Sequence, residues 1–408
     1  MKTWVRVGLI GSMLVPGIAL IPLAWNVHQE ETRWPALAEM SIVSTAPAPA
    51  PGNGDGWVAI QRSLAAINSA NGAYQAHLSP VGSPETSALT AWTAQEPAIA
   101  ILRDMLNETT GLTVPMPVQF DQPLTDLTPL EELSAAWLLK GWSDAALGRN
   151  DAAIQEMGAV WSLGVRLTQG DGPLEASLVG YAIQEMALQE MGELLETPTG
   201  RSRRSLQFAA AALADQPQRG AIARGMVTVC RQTEQLLDNV LTSPVLISRR
   251  YGVSTRILMD GLYDTEQTMV WNRQRCHDVV RFAAADPVNR KPLTMSTFWK
   301  ERSLVHWIHN PAGRQMMAAT RPDVEPLVQR EDQLIAAAHV RAAWVATQQY
   351  QLSHHGAPDA LQMLSANGLG DSLTDPYSGQ MLRYDGRAIW SVGADQETDQ
   401  SAPLRLTL

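Results

Sequence analysis

TPLEELSAAWLLKGWSDAALGRNDAAIQEMGAVW, residues 128–161, is the stretch that decides the fold class. Thr128-Pro129-Leu130-Glu131 has the marks of a helix start. Thr128 stands as the cap, Pro129 takes the first helical position, and Glu131 completes a capping box. Leu130, Leu133, Trp137 and Gly141 then share one helical face. Gly148-Arg149-Asn150-Asp151 turns the chain, and Ala153, Met157, Val160 and Trp161 line a return helix. Two helices joined so closely bury their apolar stripes on each other, so the chain is expected to be mainly α.

This pair resembles one hairpin of the tetratricopeptide type, with Trp137, Gly141 and Ala153 at three of that repeat's signature offsets. Lys140 stands where the repeat has Leu, and no second copy follows at the same period. The alternative is an ordinary αα-hairpin. Upstream, Trp57 to Ala76 reads as a helix, and Ser83-Pro84-Glu85 starts another that ends near Thr110-Gly111. Pro115, Pro117 and Pro123 make 112–127 a loop. Downstream, helices are expected over Pro173–Leu195, Ser205–Ala214, Arg219–Leu241 and Thr265–Ala285.

Met226, Cys230, Leu237 and Val240 form one apolar stripe, and Cys276 shares another with Val280 and Ala283. Both cysteines therefore face a core. Two are too few for a disulfide framework and lack the spacing of a zinc site. Either they pair in an oxidising compartment or they remain two buried thiols.

The start of the chain gives an address. Lys2 and Arg6 precede a run from Val7 to Val27 without a charged residue, and Glu30 and Glu31 follow it. Such a run spans roughly 30 Å as a helix, about one hydrocarbon core. The positive-inside rule then leaves the N-terminus in the cytoplasm of a bacterium and the body in the periplasm, as a single-pass inner-membrane protein. A cleaved signal peptide is the alternative, but no A-x-A-like site follows closely. Ala46-Pro47-Ala48-Pro49-Ala50-Pro51 and Gly52-Asn53-Gly54-Asp55-Gly56 make an extended stalk with a flexible end. The expected organisation is an anchor at 1–27, a stalk at 28–56, a helical domain at 57–320 and a tail at 321–408.

The tail changes character. Residues 324–358 read as one long amphipathic helix with Leu334, Ile335, Ala338, Ala342 and Val345 inward, ended by Gly356-Ala357-Pro358. Met381–Tyr384 and Arg387–Val392 flank Asp385-Gly386, a strong hairpin signal. A lone hairpin is marginal in water, so Leu382, Tyr384 and Trp390 are expected to lean on the long helix. A helix with Tyr350, then Gly356-x-Pro358, Asp375-Pro376-Tyr377 with Gly379, Leu382-Arg383-Tyr384 and Ile389 to Asp395, resembles the periplasmic end of the major pseudopilin of type II secretion. The whole layout also resembles that of membrane-anchored helical proteins of bacteria. The pseudopilin resemblance implies a part in a secretion or pilus-type assembly, and calcium ligation in the region of Asp395, Glu397 and Asp399; Gln396, Thr398 and Gln400 depart from that family's glycine-rich loop, and the residues themselves read as a solvated acidic turn. The prepilin start is missing, since Gly8 has Met13 where that family has Glu.

Chemistry is sparse. A net charge of −10 disfavours nucleic acid as a partner. His306 and His309 stand three apart with Glu301 the nearest acid, while His354 and His355 are adjacent and face different ways on a helix. Arg201 to Arg204, Arg249-Arg250-Tyr251, and Arg273 with Arg275 read as solvated helix faces. No nucleophile elbow, Walker loop, dinucleotide fingerprint or H-E-x-x-H occurs. No residue is assigned to catalysis, cofactor binding or a metal. The expected function is an extracytoplasmic binding or scaffold protein for another envelope component. The alternatives are a component of type II secretion and a periplasmic enzyme with a dispersed site.

Overall fold

The computed structural model describes residues 56–67, 86–108, 112–115, 125–240, 263–293, 310–320, 323–367, 371–394 and 404–408. These contain ten α-helices: α1 Trp57–Ala66, α2 Thr86–Glu108, α3 Thr128–Ala146, α4 Asn150–Gln169, α5 Leu174–Glu196, α6 Arg203–Ala214, α7 Ala221–Asp238, α8 Thr265–Ala284, α9 Pro311–Ala319 and α10 Glu325–His354. Strands β1 Arg383–Tyr384, β2 Ala388–Trp390 and β3 Arg405–Thr407 form one antiparallel sheet. The anchor, the stalk, His306, His309, Arg249 to Tyr251 and the acidic residues at 395–399 lie outside the described residues. Among the described residues no helix is long and apolar enough to cross a membrane.

Two compact units result. The larger takes the described parts of 45–228, 282–292 and 323–408. Here α3 and α4 form the expected hairpin, and α2, α5 and α6 pack on it. Leu130, Leu133, Trp137, Ala153, Met157, Val160 and Trp161 are all buried. The cap differs from expectation. Thr128 is already helical, Leu127 holds the cap position without a side-chain bond, and the Thr128 N–H donates to Asp126 Oδ1 at 3.0 Å. Asp126 thus supplies the acceptor that Thr128 cannot once it has entered the helix. Close approach of α4 and α5 relies on paired glycines: a Cβ on Gly164 would stand 2.7 Å from the Gly180 carbonyl oxygen.

Lys140 has a reason to replace an apolar residue. It bonds Glu156 of α4 and, at 2.9 Å, Asp144 of its own helix. Trp137 Nε1 and Arg103 also donate to Glu156, and Arg149 to Asp144. Burial pushes the Glu156 and Asp144 carboxyls up, but the surrounding donors outweigh it and hold both below their ordinary values of 4.5 and 3.8.

The tail shares the larger unit's core. α10 packs on α5, α6 and the small sheet. It ends at His354, one residue before His355 at φ 57°, rather than at Gly356. The left-handed residue turns the chain there, and His355 N–H closes on the Gln351 carbonyl at 2.9 Å. The hairpin forms, but with its turn shifted. Tyr384 pairs with Ile389, so Gly386-Arg387 is the two-residue loop. Only Gly386 has positive φ, at 80°, as a turn with glycine in its first central position requires. Asp385 keeps an ordinary backbone, and its carboxylate accepts from the Arg387 and Ala388 N–H groups at 2.8 and 2.7 Å. A third strand, β3, pairs on the other side of β2, so β2 is central and buried on both faces. Asp375 is fully buried and accepts from the Tyr377 N–H, the Val392 N–H and Ser391 Oγ, tying the turn before β1 to the end of β2.

The smaller unit takes the described parts of 229–281 and 293–322. Cys230 and Cys276 are bonded, their Cα atoms 5.9 Å apart. Arg275, expected on a wet face, is 4% exposed. Its guanidinium donates to the Met317 carbonyl at 3.0 Å, to Thr320 Oγ1 and to Asn272 Oδ1, closing the C-terminal end of α9. Burial lowers its pKa to about 10. Arg273, by contrast, pairs with Glu234 at 2.7 Å.

Two predictions follow from these contacts. Changing both cysteines to Ala should lower stability to urea by about 2–4 kcal/mol. Thiol titration of the denatured, unreduced chain should find no free thiol, and two would overturn the bond. Lys140→Met should cost about 2–3 kcal/mol at pH 7, because two acids lose their buried cation. Since Glu156 and Asp144 have depressed folded pKa values, their contribution is complete above pH 4.5 and is lost as pH falls through the folded values. The wild-type chain should therefore lose more stability below pH 4.5 than the variant does. Parallel pH curves would refute this account of Lys140.

Candidate functional site

An apolar groove of about 320 Å³ opens on the larger unit between α5, α10 and β3. The 3.6-residue period of α10 brings Gln333, Leu334, Ala337, Val340 and Arg341 to its wall, and α5 adds Glu185, Leu188 and Gln189. Leu404, Arg405 and Leu406 of the last strand complete it. Leu188, Leu334 and Val340 are buried floor residues, whereas Gln189 and Gln333 stand exposed at the rim.

Charged groups border this apolar floor. At one end Arg330 grips Glu185 with two bonds of 2.7 and 2.6 Å. Towards the other, the Arg341 guanidinium crosses α5 at Gly192, where a Cβ would stand 2.3 Å from Nη2. Glycine is thus what lets Arg341 reach Glu196, at 3.2 Å. Burial lowers the Arg341 pKa, with Glu196 acting against that shift. On the strand side the Arg405 guanidinium lies over the Trp390 ring, 4.8 Å from its centroid, and Nη2 donates to Asp385 at 3.2 Å.

Below the groove, the start of α10 carries two buried acids. Glu331 Oε1 accepts from Tyr181 Oη at 2.5 Å and from the Gly220 and Ala221 N–H groups at 3.0 and 2.9 Å. It thus caps α7 from a distant helix. Burial raises its pKa, against the pull of Tyr181. Asp332 pairs with Arg290 and, at 3.4 Å, with Arg219. Both acids are held by partners inside the fold, and they position α10, the wall of the groove.

A second hollow, polar and about 440 Å³, lies at the starts of α4 and α6. Its own Asp151 accepts from Ser202 Oγ and Ser205 Oγ at 2.7 and 2.6 Å, which fills the role of an anion there.

Among the described residues, none of the histidines or arginines singled out in the sequence meets another in a site. His354 stacks on Tyr350 at 4.0 Å and is exposed, like His355. Arg201 donates to the Leu195 and Glu196 carbonyls and lies 5.5 Å from the Trp344 ring centroid. Among the described residues, no three His, Cys, Asp or Glu side chains stand close enough to share a metal ion. The residues that sequence reasoning missed are Leu404 to Leu406. Their signal was present: Leu404-Arg405-Leu406-Thr407-Leu408 alternates with the period of a strand.

Compared with known proteins, the chain matches no family model, and neither a curated protein nor a solved structure resembles it.

Glu331→Ala should destabilise the larger unit by about 2–3 kcal/mol, because it strands a hydroxyl and two helix N–H donors. Glu331→Gln keeps an acceptor and should cost less than half of that. Raised in the folded state, the Glu331 pKa makes its contribution greatest at low pH and smaller as pH rises above 4.5. Urea titrations of both variants at pH 5 and pH 8 check this. Equal losses for Ala and Gln would remove the capping role.

Proposed function

We propose that this chain is a membrane-tethered, extracytoplasmic scaffold whose larger unit holds another envelope component in the groove between α5, α10 and β3. The observation that carries the reading is the groove itself. A half-open apolar floor rimmed by guanidinium and amide groups suits docking against a surface. The address has separate support. Val7–Val27 has the length and flanking charges of an anchor. A bonded Cys230–Cys276 pair suits a compartment where thiols oxidise. A second reading, a part in a secretion or pilus-type assembly, draws on the pseudopilin-like tail. It is favoured by the long α10, the sheet set on it and the turn centred on Asp375.

Both halves of the reading are testable in cells. A periplasm-active reporter fused after Leu408 should be active, and an inactive one refutes the topology. A photo-crosslinking residue at Gln189 or Gln333 should give adducts of discrete mass, while the same residue at Gln155, exposed at the polar hollow, should give none. No adduct at either rim position, or equal adducts at Gln155, refutes the groove as the docking surface.

A further inference from the structure

Leu404 and the first two residues of β3, Arg405 and Leu406, line the groove, and β3 is an outer strand of its sheet among the described residues. The register fixes which of its peptide groups are used. Ile389 pairs with Leu406, the Ser391 N–H donates to the Leu404 carbonyl, and the Leu408 N–H donates to the Arg387 carbonyl. Antiparallel bonding alternates along a strand, so Leu404, Leu406 and Leu408 face β2. The N–H and C=O of Arg405, and the N–H of Thr407, therefore face away from it. Trp344 Nε1 donates to the Thr407 carbonyl at 2.7 Å and closes the edge at that end. Among the described residues, what remains is a short open edge beside the apolar floor of Leu188, Leu334, Ala337 and Val340.

The side chain of Arg405 adds a charge requirement. Nη2 is engaged by Asp385, but Nη1 is buried and has no hydrogen-bond partner among the described residues. The side chain is 21% exposed and lines the groove, and a guanidinium there favours a ligand that supplies a carboxylate oxygen.

We infer that the occupant of the groove is an extended, apolar stretch of polypeptide carrying a carboxylate, which adds as a further strand to the free edge of β3. The inference rests on the reading of the groove as a docking surface and names its partner. A strand supplies main-chain donors and acceptors at the spacing of Arg405 and Thr407, and its alternate side chains reach the floor. A helix has already used those groups internally, and an acyl chain has none to offer.

The test displays random heptapeptides on phage against the full chain in detergent micelles, with Ala337→Trp as the filled-groove control. Enriched sequences should carry apolar residues at alternate positions and an Asp or Glu, and should be lost on the control. A chosen peptide is then synthesised with one N-methyl group at each amide in turn. Methylation of the amides that pair with β3 should weaken binding at least tenfold, and methylation of their neighbours less than threefold. Arg405→Gln should weaken the acid-bearing peptide at least fivefold and its Asn or Gln counterpart little. Apolar residues enriched at helical spacing, or a flat N-methyl scan on the unaltered protein, overturn strand addition. So does enrichment that is the same on the control, or no enrichment at all. None of these bears on the crosslinks from Gln189 and Gln333, which test docking separately.

Discussion

Trp344 is the fixed point of the larger unit. Its ring is fully buried about two thirds of the way along α10, and three neighbours meet on it. Arg201, from the turn before α6, and Arg341, from its own helix, each bring a guanidinium within 5.6 Å of the ring centroid. The indole N–H reaches the backbone of β3. A large ring with one polar edge suits this place, because the ring fills apolar space while its N–H finds an acceptor. Through it the C-terminal end of α5, the middle of α10 and the last strand are held in one arrangement. The groove is the space that this arrangement leaves open.

Among the described residues, buried charge is met either by an opposite charge or by a helix end. Lys140, Asp332, Arg341 and Arg290 are each drawn from water and each meets an opposite charge. Arg275 and Glu331 are held instead at helix ends: Arg275 by the Met317 carbonyl near the end of α9, Glu331 by the N–H groups at the start of α7. The opposite partial charges of helix termini make this a chemical match. Such groups fix how helices meet, because an unpaired buried charge penalises every alternative packing. Single atoms still stand without a partner among the described residues, among them Arg290 Nε, Glu331 Oε2 and, beside the groove, Arg405 Nη1.

Local pattern was enough for nine of the ten described helices, and α9, Pro311–Ala319, was not expected from it. Leu130, Trp137, Met157 and Trp161 recur at helical spacing, and each is buried where that spacing puts it. The same holds for the stripe of Cys230 and Leu237 and for the inward face of α10. Boundaries needed more. Thr128, His355 and Gly386 stand within two residues of where sequence placed a cap, a stop and a turn, yet each differs in role. Capping and turn chemistry depend on φ and on which oxygen is in reach, and several neighbouring residues carry an oxygen that would serve.

Taken alone, the sequence determined a mainly helical chain, a hairpin at 128–167, a long tail helix and an Asp385-Gly386 reversal, because these depend on periods and on residues a few places apart. It left the cysteines either bonded or free, placed Arg275 on a wet face, and held no hint that Glu331 caps a helix that starts 110 residues before it. Those outcomes were decided by tertiary structure, where side chains distant in sequence compete for one small volume and only one set of partners satisfies the buried donors and charges. The groove belongs to that second class. Its walls come from α5, α10 and β3, and no single stretch of the chain contains it.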